Sequence, residues 1–305
     1  MTAEDIYSVC IMNESHREFF LQGDGSFWTG LDGPDNVWIV KPPNGSQGQG
    51  IFVIRALDDF NSDEHFGNVI VQKFVERPLL FRGKRFSIRQ WLCVTAFQMP
   101  SGPRVWFYEE CIFKLAAREH AAKNNKKHIR SKCGFDRFAH LTNSSIGHSA
   151  PEGVKKKDLT CTSAEYEAYL HSLPKDSPMN KMLDWKTSQQ PQMKALCMHA
   201  LLSAQHELID RLNSFELFGC DFVVDMFGRV YLLEVNGGPQ LVMDTPVHSK
   251  LIPEMLEDMV SLVFDRERMG TSHIFEDQNH IPQEGRVDKC GSFTRLGGDC
   301  TKFQY

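Results

Sequence analysis

The sequence lacks the features that would place the protein in a membrane or outside the cell. No stretch approaches the roughly 18 consecutive apolar residues of a membrane-spanning helix. The first residues, "MTAEDIYSVC", have no basic segment followed by an apolar run, so they do not resemble a secretory signal. Nine cysteines occur without a CxxC pair. This pattern favours reduced thiols, several of them buried, in a cytoplasmic protein.

A strong excess of charge of either sign is also absent. The formal net charge is -5 over 305 residues, which argues against nucleic acid as the main partner. Hydrophobic residues make up 41% of the chain, enough for a well-buried core in one large domain or two. One local exception is the basic run 118–132 within a polar segment at 115–139, predicted as a mobile loop or exposed helix. That run is either an ordinary solvated loop or a surface for an acidic partner.

Short β-rich runs fill the first half of the chain, and helical patterns follow. The runs 37–40 and 51–54 predict a hairpin with a glycine-rich loop at its tip. Three more strands are predicted in "NVIVQKFVERPLLF", "FSIRQWLCVTAF" and "RVWFYEECIF". Helices are predicted in "QMKALCMHALLSAQHELIDRL" and at about 252–265. Residues 150–190 carry few signals of order, and 269–305 reads as a polar tail without packing.

The glycine loop "KPPNGSQGQG", residues 41–50, is either a phosphate-binding flap or a plain connection between strands. It is not a P-loop, because it has no GK[ST] and leads into a strand rather than a helix. By itself, such a loop is more often a simple hairpin connection than a nucleotide site.

A second hairpin, "FELFGCDFVVDMFGRVYLLEVN", places two carboxylates together. If 227–228 is a two-residue turn, Asp221 lies opposite Glu234, and Asn236 projects from the same face. Like charges about 5 Å apart destabilise a sheet, so a bound divalent cation such as Mg²⁺ is the simplest compensation. Alternatively, one carboxylate is solvated at a sheet edge, or a different turn shifts the register.

Four segments in order resemble the tubulin–tyrosine ligase family: "VWIVKPPNGSQGQGIFVI", "VQKFVERPLLFRGKRFSIRQWLCVT", "HLTNSSI" and "SFELFGCDFVVDMFGRVYLLEVNGGP". They span about residues 37–265. The resemblance implies an ATP-grasp fold of the α+β class, with two subdomains and the nucleotide between them. Its expected divisions are 1–36, 37–74 with the flap, 75–268 with the metal hairpin, and the tail 269–305. The ending "EVNGGP" favours the tyrosine-adding branch.

The resemblance also implies roles for single residues. The expected nucleotide-binding residues are Lys41, Gln47, Gly48, Gly50, Gln72, Lys73, Phe74, Val75, Arg85, Ser87 and Asn143. Arg89 would stabilise the transferred phosphoryl group, and Lys114 would lie near the substrate carboxylate. The Mg²⁺ ligands would be Asp221, Glu234 and Asn236, the same three residues that the hairpin argument selects.

The function implied is an ATP- and Mg²⁺-dependent ligase that adds a free amino acid, tyrosine favoured, to a carboxylate of a tubulin C-terminal tail through an acylphosphate. Such an enzyme would act in the cytoplasm at the microtubule cytoskeleton, with neither nucleic acid nor a membrane as partner. The basic run 118–132 would then suit the acidic tail. Alternatives are a polyglutamylase or glycylase, a non-catalytic tubulin- or microtubule-binding relative, and a ligase for another acceptor.

The chain departs from the family pattern at several of these positions. Gln47 replaces a basic residue of the flap, and Ser87 replaces an acidic residue that helps to bind nucleotide. Arg85 stands for a lysine, and Lys114 stands for an arginine, which keeps the charge but loses the bidentate geometry. Only about 36 residues precede the flap, where the family normally has a further domain, so a short divergent member or a truncated gene model is expected.

Overall fold

The protein is an α+β protein built on antiparallel sheets, as given by a computed structural model. The structure describes residues 9–12 (backbone only), 37–42, 48–55, 69–97, 103–120, 136–150, 153–173, 183–209, 214–264 and 289–296. The chain divides into two compact units. Unit one comprises Met1–Phe86 and Leu115–Val154, and unit two comprises Ser87–Lys114 and Lys155–Gln304. Across the described residues, no helix combines the length and the hydropathy needed to span a membrane.

Unit one contains a four-stranded antiparallel sheet of order β1-β4-β2-β3. Its strands are β1 (Val9–Met12), β2 (Trp38–Lys41), β3 (Phe52–Ile54) and β4 (Val69–Lys73). The predicted hairpin is confirmed, since Trp38 pairs with Ile54 and Val40 with Phe52. Residues 43–47, at its tip, lie outside the described residues. Alternating side chains of these strands pack into two apolar clusters, which include Trp38, Val40 and Val71 in one and Val37, Val53 and Phe74 in the other.

Two short helices complete the described part of unit one, α1 (Arg137–His140) and α2 (Ser144–His148). Asp136 caps α1, its Oδ1 accepting the Phe138 N–H at 2.9 Å. The prediction of a mobile loop or exposed helix over 115–139 is wrong for its first residues. There Ala116 and Ala117 are buried, and the Ala116 N–H donates to the Arg85 carbonyl. Residues 121–135, with most of the basic run, lie outside the described residues.

Unit two is centred on an eight-stranded sheet. The order along its main path is β10-β9-β5-β6-β12-β11, and β7 pairs with both β5 and β8. The strands are β5 (Phe86–Ala96), β6 (Arg104–Tyr108), β7 (Ile112–Leu115), β8 (Thr160–Thr162), β9 (Glu216–Val224), β10 (Val230–Gly237), β11 (Lys289–Cys290) and β12 (Phe293–Leu296). The stretch predicted as one strand, "RVWFYEECIF", is two, because Glu109–Cys111 leaves the ladder between β6 and β7.

Helices cover both faces of this sheet. They are α3 (Ser163–Ser172), α4 (Gln190–Ala204) and α5 (Pro246–Phe264), with short turns at Lys156–Leu159, Trp185–Gln189 and Gln205–Glu207. On one face, α5 buries Leu251, Ile252 and Met255 against Trp91 and Cys93 of β5. On the other face, Cys197 of α4 is buried beside Cys220 of β9, and Lys194 lies over the Phe107 ring at 5.0 Å.

The stretch 150–190, for which little order was predicted, contains β8, α3 and the turn before α4. A capping box begins α3, because Thr162 Oγ1 accepts the Glu165 N–H while Glu165 Oε2 accepts the Thr162 N–H. The Tyr166 ring stacks on Phe113 with 4.3 Å between centroids, and Trp185 packs edge-on against both. These aromatic contacts join distant parts of the chain, which local composition does not reveal.

Residues 289–296 also correct a sequence prediction. They lie within the stretch predicted to be a polar tail without packing, yet they form a hairpin on the edge of β6. Phe293 is fully buried and its ring lies 4.9 Å from that of Tyr108. Phe293, buried Leu296 and the backbone pairing with β6 together hold a segment whose neighbours in sequence are mostly polar.

The cysteines agree with the prediction of reduced thiols. Each of the six whose side chains the structure describes is a free thiol, and five of them are buried. Burial raises the pKa of Cys93 to about 12, so this thiol stays protonated at neutral pH.

Candidate active site

Three neighbouring strands of unit two bring charged residues into one row. Arg89 of β5 pairs with Asp221 of β9, and Asp221 pairs in turn with Glu234 of β10. Directly paired residues of adjacent strands project from the same face, so the three side chains lie side by side. Lys114 of β7 and Asn236 of β10 reach the same carboxylate, Asp221. These five residues are called the charged row below.

The predicted pairing of Asp221 with Glu234 is confirmed, but the predicted turn is wrong. The hairpin is closed by a three-residue loop, since Asp225 N–H donates to the Arg229 carbonyl and Gly228 has φ +83°. A register shift between Leu232 and Glu234 then restores the pairing that a two-residue turn would have given. The longer loop and the register shift therefore offset each other, and Asp221 lies opposite Glu234 as predicted.

Asp221 is the centre of the row and accepts four hydrogen bonds. Arg89 is bidentate, with Nε 2.9 Å from Oδ1 and Nη2 2.7 Å from Oδ2. Lys114 Nζ donates to Oδ1 at 2.7 Å, and Asn236 Nδ2 donates to Oδ2 at 3.3 Å. Burial alone would raise the pKa of Asp221, but the Lys114 charge and the Arg89 hydrogen bonds outweigh it and hold that pKa well below its ordinary value.

The two cations respond differently to the same neighbour. Burial lowers the pKa of Arg89, yet the bonds and charge of Asp221 prevail and raise it. Burial also lowers the pKa of Lys114, and here the opposing effect of Asp221 does not restore it. Besides the divalent cation that the sequence predicts, the structure thus shows a second compensation for the paired carboxylates. Arg89 and Lys114 already balance the Asp221 charge, so the row can exist without a metal.

The row nevertheless fits the chemistry of a Mg²⁺ site. Asp221 is ionised, Glu234 is exposed beside it, and the Asn236 amide contacts Glu234 Oε1 at 3.2 Å as well as Asp221. Mg²⁺ takes few protein oxygens and fills its other positions with water and phosphate. The described residues hold no group of three or more His, Cys, Asp or Glu suited to a metal. A cation here would thus need the Asn236 amide oxygen besides the two carboxylates.

Occupation of Asp221 by a cation has one geometric condition. A carboxylate offers about four lone-pair positions, and each of the four donors around Asp221 occupies one. One donor must therefore give up its bond. The Asn236 bond is the longest of the four, at 3.3 Å, and its amide can present oxygen instead of nitrogen after rotation.

Gly219 is a residue of this site that sequence reasoning missed. A Cβ at this position would lie 2.7 Å from the Pro239 Cβ and 3.0 Å from Arg89 Nη1. The missing side chain thus leaves room for the Arg89 guanidinium between β9 and the loop after β10. The signal was present in the sequence as a glycine two residues before Asp221, on the same face of the predicted strand.

The residues predicted around the flap lie in unit one. Lys41 ends β2 opposite Ile70, and Gly48 and Gly50 have φ of +74° and +69°, where glycine is favoured. A Cβ on Gly48 would lie 3.2 Å from Asn143 Oδ1. Asn143 makes no side-chain cap to α2, so its amide faces the flap glycine instead. The structure therefore brings Gly48 and Asn143 together, while Gln47 lies outside the described residues.

The segment predicted to bind adenine, residues 72–75, is buried and tied down by charged side chains. Lys73 Nζ contacts the Val37 carbonyl at 3.0 Å, the Phe74 carbonyl at 3.2 Å and Glu76 Oε1 at 2.7 Å. Arg85 donates to the Val75 carbonyl at 2.7 Å and stacks on the Phe74 ring at 4.2 Å. Both cations thus donate hydrogen bonds to main-chain carbonyls of the protein itself.

Two further predicted residues have simple positions. Gln72 lies inside β4, paired with Ile39 and only 4% exposed. Ser87 is buried near the start of β5, two residues before Arg89 and therefore on the same face of the strand. It belongs to the same unit as the charged row.

The structure is that of an α+β protein with carboxylates, cations and an amide gathered on three neighbouring strands, and comparison with known proteins identifies its family. The family model described as "Tubulin-tyrosine ligase family" matches residues 11–272. The chain belongs to the tubulin-tyrosine ligase family, as the four sequence segments predict.

Several relatives share about three tenths of their residues with this chain. "Tubulin glycylase 3B" of Tetrahymena thermophila is 31% identical over 239 residues, which cover 77% of this chain and 19% of the relative. "Tubulin glycylase 3A" of Drosophila melanogaster is 31% identical over 245 residues, covering 77% and 23%. "Tubulin monoglycylase TTLL3" of Homo sapiens is 31% identical over 245 residues, covering 77% and 30%.

The chain therefore spans between 19% and 30% of the length of these three relatives. All three are glycylases by name, so they give no support to the prediction that the chain resembles the tyrosine-adding branch most.

Proposed function

We propose that this chain is an ATP- and Mg²⁺-dependent ligase that joins an amino acid, glycine before tyrosine, to a carboxylate of a tubulin C-terminal tail. The observation that carries the proposal is the charged row, in which Arg89, Asp221 and Glu234 stand side by side on three strands. The family supports the reaction type, and the glycylase relatives support glycine as the donor. The proposal includes action in the cytoplasm on microtubule proteins.

Each residue of the row has a task in such a reaction. A carboxylate reacts with an amine only after activation, and family resemblance suggests an acylphosphate as the activated species. Arg89, 18% exposed at its side chain, would hold the transferred phosphoryl group through its planar fork. Lys114, 15% exposed, would attract the acceptor carboxylate. Mg²⁺ held by Asp221, Glu234 and Asn236 would supply charge neutralisation for the phosphates.

The nucleotide contacts remain part of the proposal. Residues proposed to bind ATP are Lys41, Gln47, Gly48, Gly50, Gln72, Lys73, Phe74, Val75, Arg85, Ser87 and Asn143. The closeness of Gly48 to Asn143 supports a shared role at the flap, because the positive φ and missing side chain of Gly48 let the loop backbone approach the Asn143 amide closely. For residues 72–75 the supporting observation is a rigid main chain, fixed by Lys73 and Arg85.

The structure also favours one alternative from another class, a tubulin-binding relative without catalysis. Asp221 is neutralised by Arg89 and Lys114. Retention of the paired carboxylates therefore does not require a working metal site. The paired carboxylates are therefore compatible with a non-catalytic protein as well as with a ligase.

The test is incorporation of labelled glycine, tyrosine or glutamate, each supplied separately to the purified chain with tubulin and Mg-ATP. Glycine incorporation that depends on both tubulin and ATP is expected. Tyrosine or glutamate in its place would keep the ligase and change the branch. ATP cleavage with another carboxylate acceptor would replace tubulin as substrate. Tubulin binding without any incorporation or ATP cleavage would establish the non-catalytic alternative.

A further inference from the structure

A histidine–aspartate pair lies at the beginning of α5, in unit two. His248 Nδ1 is 2.6 Å from Asp244 Oδ1, and the two side chains are only 12% and 17% exposed. A carboxylate oxygen accepts a hydrogen bond, so in this pair Nδ1 carries the proton and Nε2 keeps a lone pair. The carboxylate therefore orients the ring and fixes the tautomer that accepts a proton at Nε2.

Hydrogen bonds and strand pairing place this pair beside the charged row. Thr245 Oγ1 accepts the His248 N–H at 3.2 Å, which caps α5. Thr160 Oγ1 donates to the same hydroxyl oxygen at 3.0 Å. Thr160 belongs to β8, where it pairs directly with Lys114 of β7. Two threonines thus separate His248 from the strand that presents Lys114 to Asp221.

Burial, together with two nearby positive charges, keeps His248 in its basic form at neutral pH. The charged groups that face it are Asp244 from its own segment, Lys114 from β7 and Arg89 from β5. Burial lowers the pKa of His248, and the positive charges of Lys114 and Arg89 lower it further against the opposing effect of Asp244. A neutral imidazole is the form that a general base requires.

The proposed reaction requires a base for the amino-acid ammonium group, and the charged row does not supply one. A free amino acid at neutral pH carries an ammonium group, whose nitrogen has no lone pair with which to attack. Arg89 stays protonated in any accessible range of pH, and Lys114 donates its hydrogen bond to Asp221. Neither cation can accept the proton, the acceptor positions of Asp221 are filled by four hydrogen bonds, and Glu234 would be a ligand of the metal ion.

We propose that His248, oriented by Asp244, is the general base that accepts a proton from the ammonium group of the incoming amino acid. This inference rests on the proposed ligase function. The proton passes to Nε2, and the freed nitrogen lone pair forms the C–N bond to the acylphosphate carbon. The C–O bond to phosphate breaks, and its electron pair leaves with the phosphate. A second proton moves from nitrogen to that phosphate, which gives a neutral amide.

The experiment compares two nucleophiles in the variant His248→Gln of the full chain, with tubulin and Mg-ATP. Glycine needs deprotonation, whereas hydroxylamine is already neutral at pH 7 and traps an acylphosphate as a hydroxamate. Glycine addition should fall by about 10²–10⁴-fold, the usual contribution of general base catalysis. Hydroxamate formation should remain at the wild-type rate. The matched control is His206→Gln, since His206 is 73% exposed and pairs with its neighbour Glu207 at the surface. Both reactions should be unchanged in this control.

A second variant, Asp244→Asn, tests the orientation of the ring through the pH dependence. In the wild type, the rate of glycine addition should fall as the pH decreases through the pKa of His248, because the ring becomes protonated. Asp244 raises that pKa, so its removal should slow the reaction and also shift the acidic limb of the pH–rate profile, the part in which the rate falls, to lower pH. A purely structural residue would lower the rate without moving the limb.

The outcomes separate this inference from the proposed function. A wild-type chain that yields neither amide nor hydroxamate would refute the ligase itself. A ligase whose His248→Gln variant adds glycine at the wild-type rate would refute the base. The variant could also lose both the glycine and the hydroxylamine reaction while its Mg-ATP binding and thermal stability stay unchanged. His248 would then act in a step before the amine attacks, which would also refute its role as the base. If His248→Gln does not fold, the Asp244→Asn profile decides, and an unshifted acidic limb overturns the proposal.

Discussion

Buried cations are neutralised in different ways in the two units. In unit one, Lys73 is surrounded by main-chain carbonyls and Glu76, and the side chains of this ion pair are each 4% exposed. In unit two, Arg89 and Lys114 converge on the single carboxylate of Asp221 and stay 18% and 15% exposed. The first arrangement binds the backbone to itself. The second leaves two cations at a partly open face, where a ligand can compete for them.

The ion pair of Lys73 and the candidate functional pairs of Asp221 differ in what each charge contacts. Lys73 stabilises residues 73–76 against Val37, and Glu76 accepts the Val37 N–H at 2.8 Å as well. In contrast, the donors to Asp221 come from β5, β7 and β10 and meet at one point. Variants that remove one partner at a time should therefore affect stability most in unit one and activity most in unit two.

The largest loss of stability is expected for Lys73→Met. The change leaves the buried Glu76 with the Val37 amide but without its cation, and breaking a buried pair in this way costs about 3–5 kcal/mol. Urea denaturation should show this decrease in the free energy of unfolding. Lys194→Met is the matched control, because its pair with Glu109 is more than 20% exposed on both sides and should cost less than about 1 kcal/mol. Equal losses in the two variants would contradict the comparison.

Asp221→Asn should cost less than Lys73→Met, about 2–3 kcal/mol, because water reaches the two cations that lose their carboxylate. The pKa of Asp221 is lowered in the folded state, so the carboxylate stabilises the fold above its unfolded-state pKa. The difference from wild type should be full above about pH 5 and shrink as the pH falls below about 4. Denaturation at several pH values measures it. A difference that grows toward low pH would show the opposite sign.

Gly219→Ala tests the packing of Arg89. The added methyl would lie 2.7 Å from the Pro239 Cβ, and overpacking of this kind costs about 1–3 kcal/mol. Amino-acid ligation should fall as well, because Arg89 is displaced. Gly237→Ala is the control for stability, since nothing lies within 4 Å of a Cβ at that position. Similar losses in both variants would show that the contact to Pro239 is not the cause.

Glu234→Gln should have the smallest effect on stability. Glu234 is exposed, and a neutral amide keeps its shape, so the free energy of unfolding should stay within about 0.5 kcal/mol of wild type. Chemical denaturation without nucleotide measures this value. A loss comparable to that of Asp221→Asn would mean that Glu234 is part of the structural ion pairing rather than a ligand for a cation.

The sequence predicted the local parts of this structure better than their assembly. The flap hairpin and the strands around Asp221 and Glu234 follow from short patterns, and their pairing is confirmed. The correct opposition of the carboxylates depended on a bulge that no pattern showed. The Arg89 and Lys114 bonds to Asp221 join residues 132 and 107 positions apart, so local periodicity could not reveal them.

The sequence also did not predict order in segments whose aromatic residues pack against distant parts of the chain. Phe293 lies in a mostly polar stretch, and it is buried against Tyr108 in a core cluster formed by distant parts of the chain. The same holds for Tyr166 and Trp185, which stack around Phe113. Family resemblance supplied the expected nucleotide residues, and the closeness of Gly48 to Asn143 supports one part of that set.

The most direct test of the account is the stabilisation of the wild type and of Glu234→Gln by Mg-ATP, measured by thermal unfolding against magnesium-free controls. A ligand at 100 times its dissociation constant stabilises a protein by about 2.7 kcal/mol. The wild type should show a Mg²⁺-dependent stabilisation of this kind, and Glu234→Gln should lose most of it while unfolding normally without ligand. Equal stabilisation of the two proteins would contradict the claim that the charged row binds the metal–nucleotide complex.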